Sequence, residues 1–173
     1  MRNMHLIPFL LLAAVAAPAI AVPPPPAPFA GHHEAAPDDT AAIERLLDAY
    51  RAALRSGDQP AFAALLLNEH VPFLSVQSGA LGKAQADGLD DQRYADFRSA
   101  IFGTAQRYEQ RFDNVRIQQD GALAQVSLDF VTVAAGTDRG GYGWKTLELL
   151  KVGGQWRIAS EFFTAYPLPA PQR

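Results

Sequence analysis

The strongest constraint on the fold is a change of hydrophobic period halfway along the chain. Before residue 103 the apolar residues recur at three- and four-residue intervals. After residue 107 the sequence is rich in β-branched and aromatic residues, broken by turn signals. Ile43, Leu46, Leu47, Tyr50, Ala53 and Leu54 form one stripe of a first helix that begins near Asp39-Thr40 and stops at Gly57. Asp58 is placed to cap a second, shorter helix, with Pro60 in its first turn and Phe62, Leu65 and Leu66 on its apolar face. Pro72 forbids further helix, and Phe73-Leu74-Ser75-Val76 reads as a short strand. A loop over 78–90 leads to a third helix, capped by Asp90 or Asp91, in which Tyr94, Phe97 and Ile101 share a face before Gly103. Strands follow over 108–118, 122–133, 142–152 and 155–166. Asp120-Gly121 and Gly153-Gly154 mark two tight hairpins, because their residues accept positive φ. The expected fold class is α+β: three helices packed on one face of a four-stranded antiparallel meander plus one short strand.

The N-terminus has a different character. Arg2 is the only charged side chain before Glu34, an apolar run extends from Leu6 to Ala17, and Ala19-Ile20-Ala21 has the small-x-small pattern of a signal-peptidase site. The run is shorter than the ~20 apolar residues that span a bilayer. The expectation is a signal peptide over 1–21 and a periplasmic or secreted product with no stable membrane anchor after cleavage. No cysteine is available for lipid attachment, disulfides or thiolate chemistry. Residues 22–39 hold Pro23-Pro24-Pro25-Pro26 and His32-His33 and read as a proline-rich disordered spacer. The folded domain is expected over 40–166 and a tail over 167–173.

Charge excludes several function classes. With Arg2 removed, 14 basic residues face 18 acidic ones, a net charge of −4. No basic stripe suits a phosphate backbone, so no nucleic acid is expected as a partner. No phosphate-cradling loop, dinucleotide fingerprint or glycine-flanked serine elbow occurs, and no cofactor is expected. His70 is the lone histidine of the domain. It lacks a ligand cluster and reads as a helix C-terminal residue rather than a metal ligand.

Two segments carry a family resemblance. Tyr50-Arg-Ala-Ala-Leu-Arg-Ser-Gly-Asp58 precedes a short helix, and Thr146-Leu-Glu-Leu-Leu-Lys-Val-Gly-Gly-Gln-Trp-Arg-Ile158 forms a final hairpin. With the element order, they resemble the nuclear transport factor 2-like superfamily, which includes SnoaL-like cyclases and ketosteroid isomerases. The resemblance implies a cone with a pocket between curved sheet and helices, and a homodimer formed through the sheet. It also aligns Tyr50 and Glu148 with the hydrogen-bond donors of the isomerases, whose chemistry also needs a carboxylate base. The base position falls on Leu74, beside Ser75, and a leucine cannot take a proton.

Strand pairing bears on Glu148. A two-residue turn at Gly153-Gly154 pairs Leu149 with Ile158 and Leu147 with Ser160. Glu148 then shares the outer face with Trp144, Arg157, Glu161 and Phe163, while a one-residue slip reverses the relation. Tyr50 reads equally as a core tyrosine and as a pocket hydroxyl. Two functions follow. The first is a non-catalytic module that binds a small hydrophobic molecule, lined by Tyr50, Phe73, Phe97, Phe130, Trp156 and Phe162, or that binds a protein partner. The alternative is a cofactor-independent cyclase or isomerase using Tyr50 and Glu148.

Overall fold

The computed structural model describes residues 33–76 and 92–169, with backbone only for 92 and 93. The expected signal peptide, most of the spacer, the 78–90 loop with its capping aspartates and the last four residues lie outside the described residues.

Helix α1 (Pro37–Ser56) buries the six residues of the expected stripe, and Tyr50 is fully enclosed. Asp38 and Asp39 sit in its first turn, where carboxylates complement the helix dipole. Gly57 closes it at φ 71°, a left-handed conformation that a side chain would strain. Asp58 accepts a hydrogen bond from the Ala61 amide at 2.9 Å and so caps α2 (Gln59–Ala63). The third helix, α3, runs from Gln92 to Phe102.

The strands are β1 (Phe73–Ser75), β2 (Tyr108–Asp120), β3 (Leu123–Ala134), β4 (Gly140–Val152), β5 (Gln155–Phe163) and β6 (Tyr166–Pro167). Their order is β1-β5-β4-β3-β2, with β6 pairing to the start of β4. The meander is antiparallel as expected, but β1 joins β5 in parallel and makes the sheet mixed. The expected last strand is also divided. After Phe163, Thr164 bonds to Trp144 and the chain resumes pairing at Tyr142↔Tyr166. Both domain boundaries shift. Glu34 already bridges to Gln118 and α1 begins at Pro37, so residues 34–39 belong to the fold rather than to a spacer. At the other end Pro167 pairs with Gly141.

One irregularity decides the site. Leu149 pairs with Ile158 as expected, but the next pairs are Glu148↔Ser160 and Leu147↔Glu161. Ala159 is an extra residue, a β-bulge, and beyond it the inward side of β5 changes from even to odd positions. Trp156 and Ile158 point inward before the bulge, and Glu161 is buried after it. The expectation that Glu161 and Phe163 share the outer face with Glu148 is thereby corrected.

Helices cover one face of the curved, unclosed sheet. Their shared core joins Ile43, Leu47 and Phe62 to Val126, Leu128, Leu147 and Ile158. Beside it, Phe62, Phe73, Tyr94, Phe97 and Phe102 pack ring against ring, with centroids 4.5–6.4 Å apart.

Candidate functional site

The inward row of β4 reads Lys145, Leu147, Leu149, Lys151, with a cation at each end of an apolar pair. Lys145 is 2% exposed and Glu161 is 0% exposed. Burial of lone charges is costly, so each needs a partner. Lys145 Nζ lies 2.6 Å from Glu161 Oε1. It also donates to the Tyr50 hydroxyl at 2.7 Å, and that hydroxyl donates to Glu161 Oε1 at 3.1 Å. Rings complete the enclosure: the ammonium nitrogen is 4.4 Å from the Tyr50 centroid, 5.3 Å from Phe130, and 5.7 Å from Phe112 and Phe163. Four ring faces around one nitrogen favour the ammonium form.

Burial pushes the Glu161 carboxyl above the ordinary carboxylate range, while Lys145 and then Tyr50 draw it back. Burial likewise depresses Lys145, against the pull of Glu161. Tyr50 is raised well above 10 by burial and by the adjacent Glu161 charge, so it stays a phenol and a donor. Glu161 Oε1 thus receives two donors. Its second oxygen, Oε2, is buried with no hydrogen-bond partner among the described residues.

Lys145 and Glu161 form part of the wall of a cavity of about 420 Å³ between α3, β1 and the sheet. Phe73, Phe97, Ile101, Phe130 and Phe163 supply its apolar surface. Ser75, Tyr108, Gln110 and Thr132 supply polar groups. Ser75 Oγ and Gln110 Oε1 are also buried without a partner among the described residues, while Gln110 Nε2 donates to Thr132 Oγ1 at 2.6 Å.

Of the expected lining, Phe73, Phe97 and Phe130 are on this cavity. Tyr50 stands behind it, holding Glu161. Trp156 is elsewhere: its indole N–H donates to Asp39 at 3.0 Å. Phe162 lies off the cavity and Phe163 lines it, because the bulge exchanged their faces. Glu148 is on the outer face, where Gln125 donates to it at 2.9 Å, so Tyr50 and Glu148 do not converge. The acid beside Tyr50 is Glu161. Leu74 does occupy the cavity wall next to Ser75. The His70 amide donates to Asn68 Oδ1 at 2.7 Å, and no cluster suited to a metal occurs among the described residues. Lys145 and Glu161 are candidate site residues that the sequence pattern does not single out. A lysine two residues from Leu147 and four from Leu149 was the available signal, since period-2 alternation puts it on their face. For Glu161 a bulge of one residue hid the signal.

Several solved structures share this fold. A structure from Novosphingobium aromaticivorans DSM 12444 described as a "Putative Scytalone Dehydratase" is similar at 19% identity and TM-score 0.61, over 79% of this chain and 90% of that one. An NTF2-like protein of unknown function from Pseudomonas putida KT2440 matches at 18% identity and TM-score 0.60, over 76% and 89%. A "putative dehydratase from the NTF2-like family" from Streptomyces avermitilis matches at 15% identity and TM-score 0.56, over 76% and 99%. At such identities the likeness is one of fold. No curated protein matches the chain. A family profile described as "Putative lumazine-binding" matches residues 38–164, from the second residue of α1 to just past β5. The chain has the nuclear transport factor 2-like fold and belongs to this lumazine-binding-like family.

Proposed function

We propose that this domain is an exported binding protein for one small, planar, largely apolar molecule. The observation that carries the reading is the cavity of about 420 Å³, with aromatic walls and a few buried polar groups. That size and lining suit small-ligand sites, which run from about 300 to 1,000 Å³. The family description adds a bicyclic heteroaromatic as a ligand type. Export to the periplasm or out of the cell is supported by the basic start, the apolar run and the Ala19-Ile20-Ala21 pattern. Pairing of two copies through the outer face of the sheet is part of the proposal. Tyr142, Trp144 and Tyr166 are 44–53% exposed there.

A second reading, cofactor-independent proton transfer, is favoured by Glu161 on the cavity wall with Tyr50 and Lys145 fixing it. One experiment separates the two. Planar bicyclic compounds are tested by thermal shift on the purified chain and on Ile101→Trp, which fills the cavity from α3. Binding requires that at least one compound raise the wild-type melting temperature and not that of the variant. Recovery of that compound unchanged after prolonged incubation supports binding, and an isomerised or dehydrated product supports proton transfer. If no compound stabilises the wild type, the cavity does not serve this ligand class.

A further inference from the structure

The three partnerless atoms near the cavity have a common property. Glu161 Oε2 and Gln110 Oε1 are acceptors, and Ser75 Oγ can be one. A buried polar atom left without a partner is costly, so a ligand that satisfies it is favoured over one that does not. The only Lys or Arg on the described wall, Lys145, is already engaged by Glu161 and Tyr50. Among the described residues, an anionic ligand would therefore meet the Glu161 carboxylate and no available cation. A pure hydrocarbon would leave the acceptors buried and unsatisfied.

We infer that the cavity selects an uncharged planar aromatic molecule that donates at least two hydrogen bonds, one to Glu161 Oε2 and one to Gln110 Oε1. This rests on the binding reading above and specifies its ligand class. Glu161 is the anchor. Lys145 and Tyr50 are positioning residues: both hold Oε1, which leaves Oε2 for the ligand. Thr132 has the same part for Gln110, since it takes the amide N–H and turns the amide oxygen to the other side. Ser75, whose hydroxyl rotates, accepts or donates as the ligand requires.

Matched probes test this. Lumazine carries ring N–H groups, and 1,3-dimethyllumazine keeps the rings and carbonyls but loses both donors. 2,7-Dihydroxynaphthalene and 2,7-dimethoxynaphthalene form a second pair without ring nitrogens. Calorimetric titration of the purified chain is expected to show the donor-bearing member of at least one pair binding about tenfold tighter than its methylated partner, the value of one charge-assisted hydrogen bond. Glu161→Gln is expected to shrink that ratio to about threefold or less. Gln110→Leu, which leaves the ion pair intact, should weaken the donor probe several-fold and leave the methylated probe unchanged, so the idea stays testable if the first variant does not fold. Equal or tighter binding of both methylated probes would overturn the donor rule while leaving the binding reading in place. Failure of all four probes to bind would overturn both.

Discussion

The two ends of β4 solve the same problem in opposite ways. At each end a lysine on the inward face meets a carboxylate, and α1 provides a partner to both. Asp39 and Tyr50 are 11 residues apart, so they share a helix face and lie roughly 16 Å apart along the axis. Lys145 and Lys151 are separated by roughly 20 Å along the strand. At the Lys151 end, both oxygens of Asp39 are used. Lys151 and Trp156 donate to Oδ1 at 2.6 and 3.0 Å, and Gln119 donates to Oδ2 at 2.7 Å. The site is partly open, with Lys151 34% exposed. At the Lys145 end the pair is sealed from solvent, yet Glu161 Oε2 has no partner among the described residues. A saturated carboxylate clamps a helix to a sheet. A buried carboxylate with one oxygen left over, beside a cavity, is a candidate for recognition.

The largest test of this contrast is Lys145→Met. Removing one partner of a buried pair leaves an uncompensated charge and should cost about 3–5 kcal/mol in urea unfolding. Replacing both partners, as Lys145→Met with Glu161→Leu, should restore most of that loss while abolishing donor-probe binding. A cost below about 1 kcal/mol for the single change would show that the pair behaves like a solvated one.

A medium effect is expected in pH dependence, and the two ends should differ in sign. The hydrogen bond from Lys151, followed by those from Gln119 and Trp156, lowers the Asp39 pKa from 3.8 to about 2. Its contribution is therefore complete above pH 4 and lost as pH falls through about 2. Asp39→Asn should flatten that acid limb of stability. Glu161, whose pKa burial raises, works the other way: stability declines as pH rises from its unfolded value of 4.5 through its higher folded value. Melting temperatures of wild type and both carboxamide variants across the acid range check the signs.

The smallest effect belongs to Glu148→Gln. The Glu148 carboxylate accepts a hydrogen bond from the exposed Gln125 side chain across the strand pair, so stability should move by less than about 0.5 kcal/mol and probe affinity should be unchanged. A tenfold change in probe binding would return Glu148 to the site.

The helical stripe of α1, its stop at Gly57, the Asp58 cap and the hairpins at Gly121 and Gly153-Gly154 were all legible in advance, because each depends on neighbours within a few positions. The resemblance aligned Tyr50 and Glu148 with one pair of donors, whereas the carboxyl beside the Tyr50 hydroxyl is that of Glu161. Unbroken alternation from Ile158 to Phe163 would put Glu161 and Phe163 on the outer face. Local sequence determines helices, turns and the inward row of β4, since these follow from backbone period and steric preference. Only the tertiary structure decided that Ala159 bulges, because the register of β5 is settled by β4 on one side and β1 on the other. That single inserted residue turned Glu161 and Phe163 from the outer face to the cavity face, beside Tyr50 and Lys145.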